Sequence, residues 1–420
     1  MHKGIEYYRN QLFWLGHLIL MLGIATSKAL ISFGTVFILV SLILAFIVER
    51  KRFLSPPVQI IGFFLLFIMP FISGLWSENT KDWLAIVLNK ILLPLIAWAY
   101  WVAPKTTTKR FVYINLFQFS IVVIATIYSV MSYLMHMDQL SKGYLQAKTL
   151  TVLISNDHVQ FSLLVFLTLV LMVKEWPRFR ELFSVNAQIG IGGMLVWLFI
   201  YLHILGAKTG LLLTYFGIIV YLVKKAPVPA KIFALPMVFC LLYLAYLIFP
   251  TFKNRFHYTL YDFNQYVHGS MVNGLTDGAR VLSWKAGFAV AKEHPYLGVG
   301  FGDMNDVFME WHRVHSPQLD HYNYLQPSNE FLMYMCGCGV FGILSLSIGL
   351  WCIYAKSLYR NDILFSILFV AQVIMMWYEV NISGQIAIIL FAWSISWYQY
   401  PMTKLVPDPY TEINHTDINR

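Results

Sequence analysis

Long apolar runs separated by short polar connections constrain this chain more than any other feature of its sequence. A membrane-spanning helix needs about 20 mainly apolar residues. Twelve segments are read as such spans, namely 12–27, 30–48, 57–76, 83–103, 111–135, 158–173, 187–206, 209–223, 232–249, 329–354, 363–379 and 384–400. Only 12% of the residues are charged, whereas a soluble domain carries about 25%. The sequence therefore predicts an all-α, polytopic membrane bundle of about 12 transmembrane helices.

Basic residues are concentrated in alternate connections between these segments. The basic connections hold Arg50, Lys51, Arg52, Lys105, Lys109, Arg110, Lys174, Arg178, Arg180, Lys224, Lys225, Lys231, Lys356 and Arg360. The connections on the other face contain fewer basic residues, among them Lys28 and Lys81. Because cytoplasmic loops carry the excess of lysine and arginine, both termini are predicted to be cytoplasmic. Contact with anionic membrane lipids explains the net charge of +9, and no nucleic acid partner is expected.

The predicted spans divide the chain into four parts. Residues 1–249 hold the first nine spans, and residues 329–400 hold the last three. Residues 250–328 between them form one large outer loop with short helices, and loops of this length are usually functional. Residues 401–420 form a polar tail that is predicted to be cytoplasmic and disordered.

A helix predicted at 279–293 of the large loop carries candidate anion-binding residues. Its apolar residues recur with helical spacing at Val281, Trp284, Phe288 and Ala291. Arg280 and Lys285 lie on it, and arginine binds phosphate oxygens with a bidentate fork. Lys208 lies at the outer mouth between the seventh and eighth spans, where an ionisable group is a functional hypothesis by default. These cations suit an anionic headgroup or a pyrophosphate; the alternatives are a solvated helix face and a lysine that reaches up to the membrane surface.

Four polar residues of the large loop have spacings that would suit metal ligands: Asp303, Asp306, His312 and His315. Ordinary surface polarity explains them as well, so no metal is predicted. Gly298, Gly300 and Gly302 match neither a phosphate-binding loop nor a dinucleotide fingerprint. The sequence therefore predicts no cofactor.

Three blocks occur in order in the second half of the chain. They are LGAKTGLLLT at 205–214, DGARVLSWKAGFAVAKEHPYLGVGFGD at 277–303 and QPSNEFLMYMCGCGVFG at 326–342. Together they resemble the O-antigen ligase/polymerase superfamily, bacterial membrane enzymes that take a glycan from a polyprenyl pyrophosphate carrier. The family has a Ser-Arg-Gly core at a span start, an arginine and tryptophan before Pro-x-x-Gly-x-Gly, and a histidine-asparagine motif before Gly-x-x-Gly. Twelve spans with a large loop between the ninth and tenth also fit.

Two positions depart from the family pattern. The family arginine falls at Lys208, which keeps the charge without the fork, and the family histidine falls at Ser328. A serine hydroxyl is not a general base at neutral pH without help. Asn329, Glu330 and His321 are the nearest residues that could take over the task, and Ser328 is also predicted to cap the following helix.

The resemblance implies a bundle of the GT-C kind that carries a membrane glycosyltransferase site. Arg280, Lys208 and Lys285 would bind the pyrophosphate of a polyprenyl-linked glycan donor, and catalysis would be inverting and metal-independent. The acceptor would be a lipid core, a growing glycan or a protein, so ligase, polymerase and protein O-oligosaccharyltransferase readings stay open. The site would face the periplasm from a bacterial inner membrane. The alternative from a different class is a polytopic transporter, although neither repeated halves nor interrupted helices are apparent.

Overall fold

The computed structural model describes residues 2–137, 150–154, 157–268, 276–320 and 324–406, and these residues are mainly α-helical. The first half contains α1 (His2–Thr26), α2 (Lys28–Val48), α3 (Arg50–Phe53), α4 (Val58–Ile72), a 3-10 turn (Ser73–Leu75), α5 (Thr80–Lys90), α6 (Leu92–Trp101), β1 (Thr106–Thr107) and α7 (Thr108–Met135). The second half contains α8 (His158–Leu182), α9 (Val185–Leu205), α10 (Lys208–Lys225), α11 (Val228–Ile248), α12 (Pro250–Val267), α13 (Asp277–Glu293), α14 (Met304–His315), α15 (Glu330–Ala355), α16 (Ile363–Met375), α17 (Gln385–Lys404) and β2 (Leu405–Val406).

The all-α polytopic bundle predicted from the sequence is confirmed. Eight helical segments among the described residues are long and apolar enough to cross a membrane: Lys28–Val48, Val58–Leu75, Thr80–Trp101, Thr108–Met135, His158–Leu182, Val185–Leu205, Lys231–Ile248 and Glu330–Ala355. The other four predicted segments overlap α1, α10, α16 and α17. The total of twelve spans stays a prediction.

The helices pack closely where glycines face one another. A Cβ on Gly62 of α4 would lie 2.7 Å from the carbonyl oxygen of Gly349 of α15. A Cβ on Gly34 of α2 would lie 2.6 Å from the backbone nitrogen of Leu20 of α1. Small residues at such contacts let helix backbones approach, which is the usual basis of packing between helices in a membrane.

Helix α17 forms the centre of the bundle. Its tryptophans Trp393 and Trp397 are among the largest fully buried side chains, and its residues are buried on nearly all sides. The helix continues beyond its predicted end to Lys404, whose Nζ donates to the Ala103 carbonyl oxygen at 2.6 Å. Residues 401–406 therefore differ from the predicted disordered tail, because this buried contact and the pairing of β2 with β1 order them. Residues 407–420 lie outside the described residues.

Helix α15 is broken in its N-terminal half, and the glycine-rich segment of the large loop packs into the break. Gly339 has φ 60° and ψ −150° inside the helix. The freed backbone is used again: Val299 N–H donates to the Cys336 carbonyl at 2.8 Å, and Val340 N–H donates to the Pro295 carbonyl at 2.9 Å. A Cβ on Gly298 would lie 2.3 Å from the Cys336 carbonyl oxygen. The glycines of this segment therefore serve backbone packing.

The helix predicted at 279–293 is observed as α13, but its buried face includes only part of the apolar series noted in the sequence. Phe288 is 65% exposed, whereas Leu282, Ala286 and Val290 are buried. The reason is the close approach of α13 to α15, since a Cβ on Gly287 would lie 2.6 Å from a Leu332 methyl. Small residues therefore make up most of the buried face, together with Leu282 and Val290.

Candidate functional site

Arg280 lies in the first turn of α13 between two carboxylates. Its Nη2 donates to Glu379 Oε1, and its Nη1 lies 3.8 Å from Asp277 Oδ1. Glu379 belongs to the loop between α16 and α17. The Arg280 side chain is 28% exposed and the Glu379 side chain 16%. The guanidinium is therefore paired but within reach of a ligand.

Lys208 joins the same cluster from another helix. It is the first residue of α10, and its Nζ donates to Asp277 Oδ2. Asp277 thus holds Lys208 through one oxygen and faces Arg280 with the other. The two cations that sequence analysis proposed for an anion are close together around one carboxylate.

Asp262 of α12 fixes the start of α13. Its Oδ2 accepts from the backbone N–H groups of Thr276 at 2.8 Å and Asp277 at 2.7 Å, and its Oδ1 accepts from Gly278 N–H at 2.9 Å. A carboxylate at this position complements the positive end of the helix dipole. The first amides of α13 are therefore already satisfied, and side chains supply the positive charge of the cluster.

Arg255 of α12 adds a third cation. It is only 8% exposed, and its Nε and Nη1 have no acceptor among the described residues. Its guanidinium lies 5.4 Å from the ring centre of Tyr258. Burial lowers the pKa of Lys208 at the N-terminal end of α10, hydrogen bonding to Asp277 raises it, and the charges of Arg255 and Arg280 lower it again. Three basic side chains thus act on one another here.

A cavity of about 310 Å³ opens beside Arg280. Its polar lining includes Lys28, Asp157, Gln160, Arg280 and Glu379. Burial raises the pKa of Glu379, the Arg280 guanidinium lowers it, and the charges of Asp157 and Asp277 raise it. The cavity therefore combines a guanidinium with a carboxylate that accepts a proton more readily than an exposed glutamate.

Ser328 precedes α15 and contacts α13 at Ser283, which is one helical turn from Arg280. Its Oγ is 3.3 Å from Ser283 Oγ, and Ser283 Oγ donates to the Arg280 carbonyl oxygen at 2.8 Å. Trp284 Nε1 donates to the Ser328 carbonyl oxygen at 3.2 Å. The position of the family histidine is thereby held against the helix that carries Arg280.

Residues 193–347 match the family model described as O-antigen ligase. The resemblance to the O-antigen ligase/polymerase superfamily is confirmed. This O-antigen ligase segment includes Lys208, Arg280 and Ser328, while Glu379 lies beyond its end. No curated protein matches the chain. The chain is thus a polytopic membrane protein with a segment similar to O-antigen ligases, and this similarity supports a membrane glycan enzyme of the O-antigen ligase/polymerase type.

Glu330 of the O-antigen ligase segment is part of a separate, buried ion pair. Its Oε1 lies 3.1 Å from Nζ of Lys90 on α5, and both side chains are 0% exposed. Glu330 Oε1 also accepts from Ser383 Oγ at 2.8 Å, and Oε2 accepts from Ile382 N–H at 3.1 Å. These donors all belong to the protein itself, and they occupy both oxygens of the carboxylate. The geometry favours a positioning role for Glu330 over that of a base.

The remaining candidates are not gathered around Arg280. Asn329 Oδ1 accepts from Leu332 N–H at 3.0 Å, so Asn329 caps α15, and the prediction that Ser328 does so is wrong. Asn329 Nδ2 donates to the Trp377 carbonyl at 2.9 Å, which uses the rest of its amide. Lys285 is exposed. It is five residues from Arg280 on α13 and therefore lies on a different face of the helix. His321 lies outside the described residues.

The aspartates and histidines considered as metal ligands have other partners. Asp303 accepts from the backbone N–H groups of Glu78 at 2.9 Å and Asn79 at 2.7 Å. The ring of His312 is stacked on Tyr324, and its Nε2 lies 3.0 Å from the Leu325 carbonyl oxygen. Within the described residues, no group of three or more His, Cys, Asp or Glu side chains is arranged to hold a metal.

Sequence analysis missed the acidic half of this site. Glu379 was considered only as part of a short connection, and Asp277 and Asp262 not at all. One signal was present, because Asp277 is three residues before Arg280 and such spacing places both on one helix face. Nothing in the sequence indicated that Glu379 would contact Arg280.

Proposed function

We propose that this protein transfers a glycan from a polyprenyl pyrophosphate to an acceptor hydroxyl at the periplasmic face of a bacterial inner membrane. The observation that carries the proposal is the convergence of Lys208, Arg255 and Arg280, three cations of the O-antigen ligase segment, with Arg280 lining a cavity. Clustered cations with a guanidinium fork suit the oxygens of a pyrophosphate.

The carboxylates of the site act as exchangeable partners. Without donor, Asp277 and Glu379 balance the charges of Lys208 and Arg280. A pyrophosphate brings two negative groups that can replace them, and Arg255 then gains acceptors for its two unpartnered N–H groups. Fixed cations placed where charge develops on the leaving group lower the barrier to its departure.

An apolar groove in the bundle suits the lipid chain of the donor. It measures about 340 Å³ and lies between α8, α9, α10 and α16, with Phe166, Phe199 and Gly217 in its lining. It begins near Thr214, six residues below Lys208 on α10. At 1.5 Å per residue, that distance is about 9 Å. A carrier with its pyrophosphate at Lys208 would extend its isoprenoid chain into this groove.

The transfer step needs a group that accepts the acceptor's proton. The acceptor oxygen attacks the anomeric carbon, the bond between that carbon and the pyrophosphate oxygen breaks, and the configuration inverts. The proton passes to Glu379, which loses its Arg280 partner when the pyrophosphate binds and so becomes more basic. Glu379 would thus perform the task of the family histidine. No metal or nucleotide is required in this scheme.

The acceptor distinguishes the functions that fit this chemistry. A lipid core defines a ligase, a growing glycan defines a polymerase, and a protein hydroxyl defines an O-oligosaccharyltransferase. A ligase-type transferase is our first choice because the O-antigen ligase family model matches the chain. Glycan analysis of a deletion strain tests it: loss of long chains on lipid, with polymer length unchanged on the carrier, is the expected result. Normal long-chain lipid in that strain would contradict ligase activity.

The orientation of the site is a separate part of the proposal. The basic connections predict cytoplasmic termini and a periplasmic 250–328 segment with α12, α13 and α14. Reporter fusions at residues 108 and 300 should give opposite compartments. The same compartment for both would contradict the orientation. That result would not by itself exclude transferase activity in purified membranes. Because no metal is required in the scheme, this activity should persist in the presence of a chelator.

A further inference from the structure

A second cavity lies on the other side of the loop that follows α16. Its volume is about 280 Å³, close to that of the cavity beside Arg280. Ser383 lines the second cavity and Gly384 lines the first. Consecutive Cα atoms are about 3.8 Å apart. The two cavities are therefore separated at this point by a single backbone segment, which we call the dividing loop (376–384).

The buried ion pair holds the dividing loop in place. Lys90 Nζ donates to the Ile382 carbonyl oxygen at 2.8 Å and contacts Ser383 Oγ at 3.1 Å. Glu330 accepts from Ile382 N–H at 3.1 Å. Glu330 N–H donates to the Met376 carbonyl oxygen at 2.8 Å at the start of the loop. The wall between the cavities is thus fixed at both of its ends.

The second cavity does not suit a pyrophosphate. Lys90 is the cationic side chain in its lining. An ammonium group has three N–H donors, and Glu330, Ile382 and Ser383 are all within reach of them. The charge of Lys90 is also balanced by Glu330, and the side chain is 0% exposed. A charged phosphate would therefore find no available cation here.

The polar groups that are available suit neutral hydroxyls. Asp82 of α5, Asn305 of α14 and Gln326 lie in the lining. Neither the Asp82 carboxylate nor the Gln326 amide bonds a described side chain or backbone group, and the Asn305 amide has only a 3.9 Å contact with the sulfur of Met309. A carboxylate accepts while amides both donate and accept. Ile86, Phe301 and Met333 supply apolar surface beside them.

We infer that the second cavity binds a neutral sugar, the terminal residue of the acceptor glycan. This inference rests on the proposed function. The donor sugar is covalently attached to the pyrophosphate and must lie in the cavity with Arg280. A sugar behind the dividing loop therefore belongs to the other substrate. In this arrangement the loop positions donor and acceptor on its two sides, and the acceptor hydroxyl reaches over it towards the anomeric carbon.

Binding by the full-length protein in lipid nanodiscs tests the inference. A panel of methyl hexosides, observed by saturation-transfer NMR, probes the second cavity, and undecaprenyl pyrophosphate probes the first. Asn305→Ala and Gln326→Ala should each weaken binding of the preferred hexoside about five- to tenfold, as expected for lost hydrogen bonds. Undecaprenyl pyrophosphate binding should not change. Asn89→Ala, an amide on α5 that does not line the cavity, is the matched control and should bind both probes normally.

Further outcomes separate this inference from the proposed function. No hexoside binding by the wild-type protein, or hexoside binding by both variants as tight as that of the wild type, would overturn the sugar site. Failure of the wild type to bind undecaprenyl pyrophosphate would instead overturn the proposed function. In transfer assays the variants should raise KM for the acceptor and leave KM for the donor unchanged; the reverse would overturn the acceptor assignment. Ala85→Trp, which places an indole in the cavity from α5, should also raise KM for the acceptor.

Discussion

Two ion-pair clusters flank the dividing loop, and they differ in exposure and in how completely their hydrogen bonds are satisfied. Lys90 and Glu330 are 0% exposed. The pair has contacts to Ile382 and Ser383 in addition to its own. Arg280 and Glu379 are 28% and 16% exposed and lie beside an open cavity. The first cluster is closed to ligands, whereas the second can exchange its partners.

This difference indicates what each cluster does. A buried pair adds little stability compared with apolar residues, but removing one partner leaves an uncompensated charge and is very costly. Such a pair suits the positioning of a backbone segment. A partly exposed pair around a cavity has a smaller desolvation cost, and its carboxylates can give way to a stronger anion. Under the proposed function, the incompletely satisfied cluster is therefore the one that binds substrate.

Lys90→Met should have the largest effect because it leaves the Glu330 charge buried without a partner. The expected loss in free energy of unfolding is about 3–5 kcal/mol, measured as thermal denaturation of the purified protein in detergent. Lys90→Met/Glu330→Leu, which removes both charges, should recover much of this loss. A single variant as stable as the wild type would contradict the description of this pair as closed and structural.

Arg280→Ala should nearly abolish transfer while the protein remains folded, since its side chain faces a cavity. Loss of one preorganised electrostatic partner costs about 10²- to 10³-fold in rate. Arg280→Lys should restore only part of the activity because lysine lacks the bidentate fork. Rates at equal protein level provide the measurement, with Lys285→Ala as a control on the exposed face of α13. Normal transfer by Arg280→Ala would remove this residue from the site.

Glu379→Gln tests the carboxylate that exchanges partners. The substitution should lower the rate of transfer about 10²-fold. Burial raises the pKa of Glu379, and only the ionised form can accept the acceptor's proton. Wild-type transfer should therefore be full above this pKa and fall as the pH decreases through it. Glu379→Gln should lack that acidic decline and still bind undecaprenyl pyrophosphate. An unchanged acidic decline in the variant would assign the proton transfer to another group.

The sequence carried enough information to predict the bundle and part of the site. The length of the apolar segments located the helices, because helices are one of the few structures that can span a membrane. Lys208 stood out because charged residues near the ends of apolar spans are rare, and Arg280 because it lies on a helix of the large loop and its guanidinium suits phosphate oxygens. These inferences depend on composition and local spacing, which the sequence contains directly.

The pairings within the site depended on tertiary structure. Arg280 meets Glu379, and Lys90 meets Glu330, across long stretches of chain. Local rules also left two neighbouring cap residues open: both Ser328 and Asn329 are favourable caps, and the backbone selected Asn329. The apolar spacing in α13 did not mark its whole buried face, because close approach to α15 favoured small residues over large apolar ones.

Arg255→Gln should have a smaller effect than Arg280→Ala, because Arg255 lies at the buried side of the cluster. Under the proposed function, its unpartnered Nε and Nη1 gain acceptors when the pyrophosphate binds. We expect undecaprenyl pyrophosphate affinity to fall about tenfold, as for the loss of a hydrogen bond to a charged group. Thermal stability should be equal or higher, since a buried charge without a partner is removed. A less stable variant with normal affinity would instead indicate a structural role.

Ser328→Ala should have the smallest effect of this series. Asn329 supplies the cap of α15, so Ser328→Ala should leave thermal stability nearly unchanged, whereas Asn329→Ala should cost about 1 kcal/mol. The Ser328 hydroxyl has Ser283 as its neighbour, at 3.3 Å, and lies one turn from Arg280. If it only supports that contact, transfer should fall a few-fold, and Ser283→Ala should have the same effect. A stable Ser328→Ala protein that is inactive, beside an active Ser283→Ala protein, would show that the hydroxyl itself acts on the acceptor. In that case the position of the family histidine would keep its function despite the change of residue.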